Sequence, residues 1–234
     1  MRFQDASPDA RAIVYAGIQA DPLVARAAAL LADAGHAERV LARAVMNGES
    51  TDPDAWRVMF PTLFGPAAAD GSGDGTASAK RERAEQILVA SLAVAERGEQ
   101  TRSQYRGAIV ESLTENLVRR RHPAAPATAV RRERRILFDG VRAEIHPYDV
   151  TVELAGQAAA IDCKWGARGI SADVLHQLDD ARTHAADEDE RLAALLVVFD
   201  AALSCEVRLE RQTAPHDSTE IVSLDTLDRL AAPG

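Results

Sequence analysis

Three residues stand in a pattern that could carry out hydrolytic chemistry: Asp149, Asp162 and Lys164. Successive side chains of a β-strand alternate between its faces, so Asp162 and Lys164 share one face of a strand that contains both. A short segment with Gly156 separates this strand from the one that carries Asp149, and it predicts a hairpin. A loop of two or four residues would place Asp149 opposite Asp162, with Cβ atoms about 5 Å apart. A loop of three residues would break this register.

Two carboxylates at that distance repel each other, and a divalent cation between them removes the conflict. Carboxylate oxygens suit Mg²⁺, for which Mn²⁺ is the expected substitute. Lys164 would orient or help deprotonate an attacking water, or stabilise charge on a phosphate. The alternative is a solvent-facing salt bridge between Asp162 and Lys164. The only lysines are Lys80 and Lys164, among 27 basic residues, which asks for a specific role for Lys164 unless an arginine-biased genome left both by chance.

Hydrophobic periodicity predicts the elements that would position these residues. Two long helices are expected at 79–97 and 101–121, broken near Gly98. Strands are expected at 135–138, 141–145, 148–154, 158–165, 192–199, 206–211 and 221–224, with helices at 171–186 and at the C-terminal end. This order predicts an α/β fold with a mixed sheet.

The first 64 residues read as short helices. Capping residues precede proline at Ser7-Pro8, Asp21-Pro22 and Asp52-Pro53. We interpret 1–64 as a small all-helical unit for docking or oligomerisation, because it offers no catalytic residues. Residues 65–78 have the composition of a flexible linker, and 79–234 form the predicted second domain.

The carboxylates and the lysine also suggest a family. Asp149, followed after twelve residues by Asp162-Cys163-Lys164, resembles the D…(D/E)xK motif of the PD-(D/E)xK, or restriction-endonuclease-like, nuclease superfamily. Pro147 is similar to the proline of that motif, although Tyr148 intervenes. The resemblance implies an α-β-β-β-α-β core with a mixed sheet over about residues 79–200.

The resemblance also implies further site residues. A glutamate on the first core helix would complete the metal site, and Glu111, four residues after Gly107, fits that position better than Glu115. A glutamine on the helix after the lysine strand would assist catalysis, and Gln177 stands there. The implied metal ligands are Glu111, Asp149, Asp162 and the backbone carbonyl of Cys163, and the implied catalytic residues are Glu111, Asp149, Asp162, Lys164 and Gln177.

The function that this resemblance implies is Mg²⁺-dependent endonuclease activity on DNA, in restriction, phage defence or repair. RNA is the variant substrate within the same class. Because one such site cuts one strand at a time, we expect a homodimer. The alternative is a non-catalytic module that keeps the fold to bind nucleic acid or protein, or a subunit of a larger complex whose N-terminal helices bind a protein partner.

Charge is the main objection to a nucleic-acid substrate, because the chain carries a formal net charge of -9. Residues 101–145, however, hold ten arginines against five acidic residues. Clustered arginines can contact phosphates, although a solvated helix end and loop explain them equally. The candidates for nucleic-acid binding are Arg119, Arg120, Arg121, Arg131, Arg132, Arg134 and Arg135.

Cellular location is predicted from absences in the sequence. No apolar run approaches the roughly 20 residues of a membrane span, and no apolar secretory stretch follows Met1. The two cysteines lie far apart and indicate neither a disulfide framework nor a zinc knuckle. We therefore expect a cytoplasmic protein without a membrane partner.

Overall fold

The computed structural model describes residues 1–6, 10–65, 75–139, 141–142, 146–213 and 219–232. The chain divides into two compact units. We call Val14–Leu113 the helical unit, and Met1–Ile13 together with Thr114–Gly234 the sheet unit. The structure is of the mixed α/β class, as the sequence predicts.

Helices make up the described part of the helical unit. The first seven helices of the chain are α1 (Ala10–Gln19), α2 (Pro22–Ala32), α3 (His36–Asn47), α4 (Pro53–Met59), α5 (Pro61–Phe64), α6 (Gly75–Ala95) and α7 (Glu99–Arg121). The boundary with the sheet unit falls within α1 and again within α7. In the part of the chain that the structure describes, no helix combines the length and the apolar character that a bilayer span needs.

Local signals place the starts of these helices. The Asp21 carboxylate accepts a hydrogen bond from the Leu23 amide at 2.8 Å, with proline at the first position of α2. Asp52 caps α4 in the same way, through the Asp54 amide at 2.9 Å. The third predicted cap, Ser7-Pro8, lies outside the described residues.

The boundary between the units is not where the sequence predicts it. Because α6 packs on α2 and α3, this long helix belongs with the N-terminal helices rather than with the sheet. Most of the predicted linker, residues 66–74, lies outside the described residues, and residues 75–78 begin α6.

The sheet unit is built on one mixed sheet. Its strands are β1 (Arg2–Asp5), β2 (Val130–Phe138), β3 (Val141–Arg142), β4 (Tyr148–Leu154), β5 (Gln157–Lys164), β6 (Leu192–Val198) and β7 (Glu220–Ser223). Their spatial order is β1-β2-β4-β5-β6-β7, with β3 paired to β2. The pairs from β1 to β5 are antiparallel, whereas β6 runs parallel to both β5 and β7. Strand β5 therefore lies inside the sheet, with one antiparallel and one parallel neighbour.

Two helices follow β5 and β6 along the chain: α8 (Ala172–Asp187) and α9 (Ala202–Leu209). Helix α8 buries Leu175, Leu178 and Ala181 in the core formed with the sheet. Ser171 caps its start by accepting a hydrogen bond from the Val174 amide at 3.4 Å. The strand predicted at 206–211 is wrong, because residues 206–209 form the second half of α9 and residues 210–211 the turn after it. Six residues are too few to separate a period of 2 from one of 3.6.

The β4–β5 hairpin has the register that a two-residue loop predicts. Leu154 pairs with Gln157 and Val150 with Ile161, so Ala155 and Gly156 alone form the loop. Gly156 has φ +74°, a left-handed conformation that glycine adopts without a steric cost. Asp149 and Asp162 consequently lie on neighbouring antiparallel strands, as predicted.

Replacement of Gly156 by alanine should lower the free energy of unfolding by about 1 kcal/mol, because a Cβ disfavours the left-handed backbone. No heavy atom outside the chain neighbours lies within 4 Å of the added Cβ, so the loss would come from the backbone alone. Urea unfolding measures it. Gly17→Ala in α1 is the matched control, since its added Cβ also meets open space, and it should instead stabilise by about 0.5–1 kcal/mol. Equal effects of the two variants would contradict the role given to the turn.

Candidate functional site

Four of the predicted catalytic residues line one cavity of about 320 Å³ in the sheet unit. They are Asp149, Asp162, Lys164 and Gln177. The first three come from neighbouring strands β4 and β5, and Gln177 comes from α8. The cavity wall is completed by His146, Pro147, Asp173 and Val174. The hairpin register and the packing of α8 together bring these side chains to one place.

Asp149 occupies the end of the hairpin ladder. Its Oδ2 accepts a hydrogen bond of 2.6 Å from the backbone amide of Cys163. In a regular ladder this amide would donate to a backbone carbonyl of β4 instead. The N–H and C=O of one strand residue point to the same side, so the Cys163 carbonyl also points toward β4. The thiol of Cys163 is buried and contacts the Thr114 hydroxyl at 3.5 Å. The buried thiol leaves only the carbonyl of Cys163 as a candidate ligand, and that role stays a prediction.

Asp162 and Lys164 form an ion pair. The Lys164 Nζ donates to Asp162 Oδ1, and the Asp162 side chain is 11% exposed. Burial lowers the pKa of Lys164, but the charges of Asp162 and Asp149 outweigh this, and the net pKa lies above its ordinary value. Lys164 is thus an ammonium at neutral pH, held beside two carboxylates.

Gly169 controls the space around Lys164. It lies in the 3₁₀ segment Ala167–Gly169, which turns the chain back after β5. A Cβ at this position would lie 2.9 Å from Cβ, Cγ and Cδ of Lys164, closer than carbon atoms pack. Glycine therefore allows the backbone to lie flat against the alkyl chain of Lys164. Sequence reasoning missed this contact, because a glycine in a loop carries no sign of what it faces.

Gln177 acts on the chain that leads into β4. Its side-chain amide donates to the His146 carbonyl at 3.2 Å and accepts from the His146 amide at 3.4 Å. Its backbone carbonyl accepts from the buried Tyr148 hydroxyl at 3.2 Å. These bonds tether α8 to the two residues that precede Asp149 by one and three positions. Gln177 is therefore placed to position the Asp149 segment.

Glu111 belongs to the helical unit and not to the described lining of this cavity. Its side chain is buried and bonded to α1. Oε1 accepts from the Tyr15 hydroxyl at 2.5 Å, and Oε2 accepts from the Gln19 amide at 2.7 Å. A Cβ at Gly107 would lie 3.0 Å from the same Tyr15 hydroxyl, so glycine there makes room for this contact. The role of Glu111 as a metal ligand stays a prediction.

Glu115, the competing glutamate, has basic partners within the sheet unit. It pairs with Arg119 at 2.8 Å and with Arg132 at 2.9 Å. Arg131 and Arg134 likewise pair with Asp5, at 2.8 and 3.4 Å. Within the described residues, at least four of the seven arginines predicted to bind nucleic acid contact carboxylates of their own unit, and each such contact reduces the charge available to a phosphate.

The donor set of the cavity suits a hard divalent cation. Asp149 and Asp162 supply carboxylate oxygens, and the Cys163 carbonyl lies on the same edge of β5. In the described ranges, no group of three or more His, Cys, Asp or Glu side chains is placed to hold a metal ion. Mg²⁺ commonly binds one or two carboxylates and completes its shell with water and substrate phosphate. The residues present fit such a cation, held by two side chains rather than by a full protein cage.

Gln19→Leu should lower the free energy of unfolding by about 1–3 kcal/mol, because it removes a donor from the buried Glu111 carboxylate. Gln86→Leu is the matched control, since Gln86 also bonds a glutamate, Glu82, but in an exposed position. Its effect should stay within about 0.5 kcal/mol. Denaturant titration of both variants checks the difference, and equal losses would show that the Glu111 contact does not stabilise the helical unit.

Comparison with known protein families, with curated proteins and with solved structures finds no match to this chain.

Proposed function

We propose that the sheet unit carries a metal-dependent phosphodiester hydrolase that acts on DNA. The observation that carries this proposal is the cavity in which two aspartates and an ion-paired lysine meet: Asp149, Asp162 and Lys164. A structural salt bridge would need one carboxylate for one ammonium. The second carboxylate, within the electrostatic reach of Lys164, is what a cation site requires.

Asp149 and Asp162 would hold the cation, with the Cys163 carbonyl as a further oxygen donor. When bound, the cation supplies positive charge that polarises a phosphate and makes a bound water more acidic. The Cys163 amide fixes the orientation of the Asp149 carboxylate. Gln177 fixes the backbone just before Asp149, so both strands reach the cavity in a defined geometry.

Lys164 acts as a cation in this proposal rather than as a base. Its raised pKa keeps the ammonium protonated, which suits orientation of a water or stabilisation of charge on a phosphate. Arginine could not replace it, because a planar guanidinium is larger and binds with a different geometry. Gly169 leaves no spare space along the lysine side chain.

The order of elements also supports the proposal. Helix α7 is followed by β2, β4 and β5, then by α8 and β6, with the short β3 between β2 and β4. With β3 set aside, this order is compatible with the α-β-β-β-α-β core that the resemblance to the PD-(D/E)xK nucleases implies. Residues 101–145 also hold the arginine-rich segment, which would contribute to phosphate binding. A homodimer would bring two sites to one duplex.

One observation favours a second candidate, a non-catalytic module with this fold. The Asp162–Lys164 ion pair satisfies both side chains without a metal. Binding of nucleic acid or protein without cleavage would then be the function. Metal binding and cleavage by the isolated protein separate the two candidates.

Asp162→Asn and Lys164→Ala should each slow Mg²⁺-dependent cleavage of double-stranded DNA by about 10²–10³-fold, to a residual rate that can still be measured. The reason is the loss of a cation ligand in the first variant and of a positioned charge in the second. The matched control is Asp180→Asn, an exposed aspartate on α8 outside the cavity lining. Gel assays measure cleavage, and calorimetry with Mg²⁺ or Mn²⁺ measures metal binding, which Asp162→Asn should weaken and Lys164→Ala should retain. Full activity of Lys164→Ala would refute the proposed mechanism.

Gly169→Ala should reduce the cleavage rate, because the added methyl group must displace Lys164. A double-mutant cycle tests whether Gly169 acts through that lysine. In the Lys164→Ala background, the Gly169→Ala change should have no further effect on the rate. Equal fold-losses in both backgrounds would show that Gly169 influences the reaction by another route, and near-native circular dichroism of both variants serves as the control for folding.

A further inference from the structure

A second cavity, of about 460 Å³, lies on the opposite face of the sheet from Asp162. We call it the rear pocket. Its floor is formed by one face of β4, β5 and β6: Val152, Ala159, Ile161, Ala193 and Leu195. The strand register places them together, because Ala159 pairs with both Val152 and Ala193, and Ile161 with Leu195. Asp162 alternates with Ile161 and therefore points to the other side of β5.

Two arginines border the rear pocket. Arg121 ends α7, and Arg191 immediately precedes β6. Both are exposed, and neither guanidinium group has a hydrogen bond or ion pair with another residue of the described ranges. Glu220, the acidic residue of the lining, pairs with Arg229 at 2.8 Å. The charge of the border is therefore positive, in a chain whose formal net charge is -9.

The positive charge of Arg121 also acts on His122, which belongs to the pocket lining. Burial lowers the pKa of His122, and the charge of Arg121 lowers it further. The imidazole is thus held neutral at physiological pH, available as a donor or acceptor rather than as a third cation. The pocket thus combines an apolar floor with one neutral imidazole and two guanidinium groups. This combination favours a ligand that has a flat apolar part and an anionic group.

We propose that the rear pocket binds a nucleoside monophosphate, with the base on the apolar floor and the phosphate between Arg121 and Arg191. The volume is within the range of sites for small organic ligands, roughly 300–1,000 Å³. Planar guanidinium groups pair with phosphate oxygens in bidentate geometry. Charge complementarity favours a phosphate over a neutral ligand, and the flat floor favours a ring over an unattached inorganic anion. This site lies on the opposite face of the sheet from Asp162, so a substitution of Asp162 can separate it from the proposed cleavage reaction.

Calorimetry with the full-length protein tests this proposal, with AMP, adenosine, inorganic phosphate and laurate as probes. AMP should bind, and adenosine and phosphate should each bind at least about tenfold more weakly, since each lacks one half of the recognised chemistry. Arg121→Ala and Arg191→Ala should each weaken AMP binding by about tenfold or more. Ala193→Phe should block binding by filling the exposed part of the floor while it leaves both arginines in place.

Two controls locate the binding. Arg211→Ala removes an exposed arginine outside this pocket and should leave the AMP dissociation constant unchanged. Asp162→Asn should also leave it unchanged, which separates this proposal from the proposed hydrolase, whose cleavage the same variant should slow. AMP binding that is insensitive to Arg121, Arg191 and Ala193 substitutions would overturn the assignment. Tight binding of laurate without binding of AMP would overturn the ligand class.

Discussion

The two-residue loop between β4 and β5 determines which side chains of β5 face each side of the sheet. Ala155 and Gly156 set the register of β4 against β5, and this register puts Asp149 beside the strand that carries Asp162 and Lys164. A shift by one residue would turn every β5 side chain to the other face of the sheet. Asp162 and Lys164 would then enter the face that forms the rear pocket, away from Asp149, and Ile161 would enter the cavity. Both cavities of the sheet unit therefore depend on the same turn.

The hairpin could be predicted because its signals are local. Alternation of apolar and polar residues along β4 and at the end of β5, a glycine in the loop and a short connection indicate the pairing without knowledge of the rest of the chain. The same holds for the caps at Asp21 and Asp52, whose partners lie two residues away. Helix α8 and strand β6 were also close to their predicted limits, since each is long enough to show its period.

What the sequence did not predict depends on residues that are distant in the chain. Strand β1 has four residues and pairs with β2 more than 120 positions later, so no local pattern indicates it. Arg131 and Arg134 read as a free basic cluster until the fold brings Asp5 to them. The contacts of Tyr15 and Gln19 with Glu111 are of the same kind. Residue types predicted the chemistry of individual side chains, but their partners follow from tertiary structure.

The position of β5 between an antiparallel and a parallel neighbour has a consequence for the order of folding. The β4–β5 hairpin closes over two residues, and such hairpins form in about 1–10 μs. The β5–β6 pairing must wait for residues 165–191, including all of α8, to cross the sheet, and longer loop closure carries a larger entropic cost. The two carboxylates thus meet early on a bare hairpin, where water still screens their repulsion. Helix α8, with Gln177, packs on the hairpin later. The two carboxylates therefore lose their water only when the packing of α8 and β6 can offset the free-energy cost.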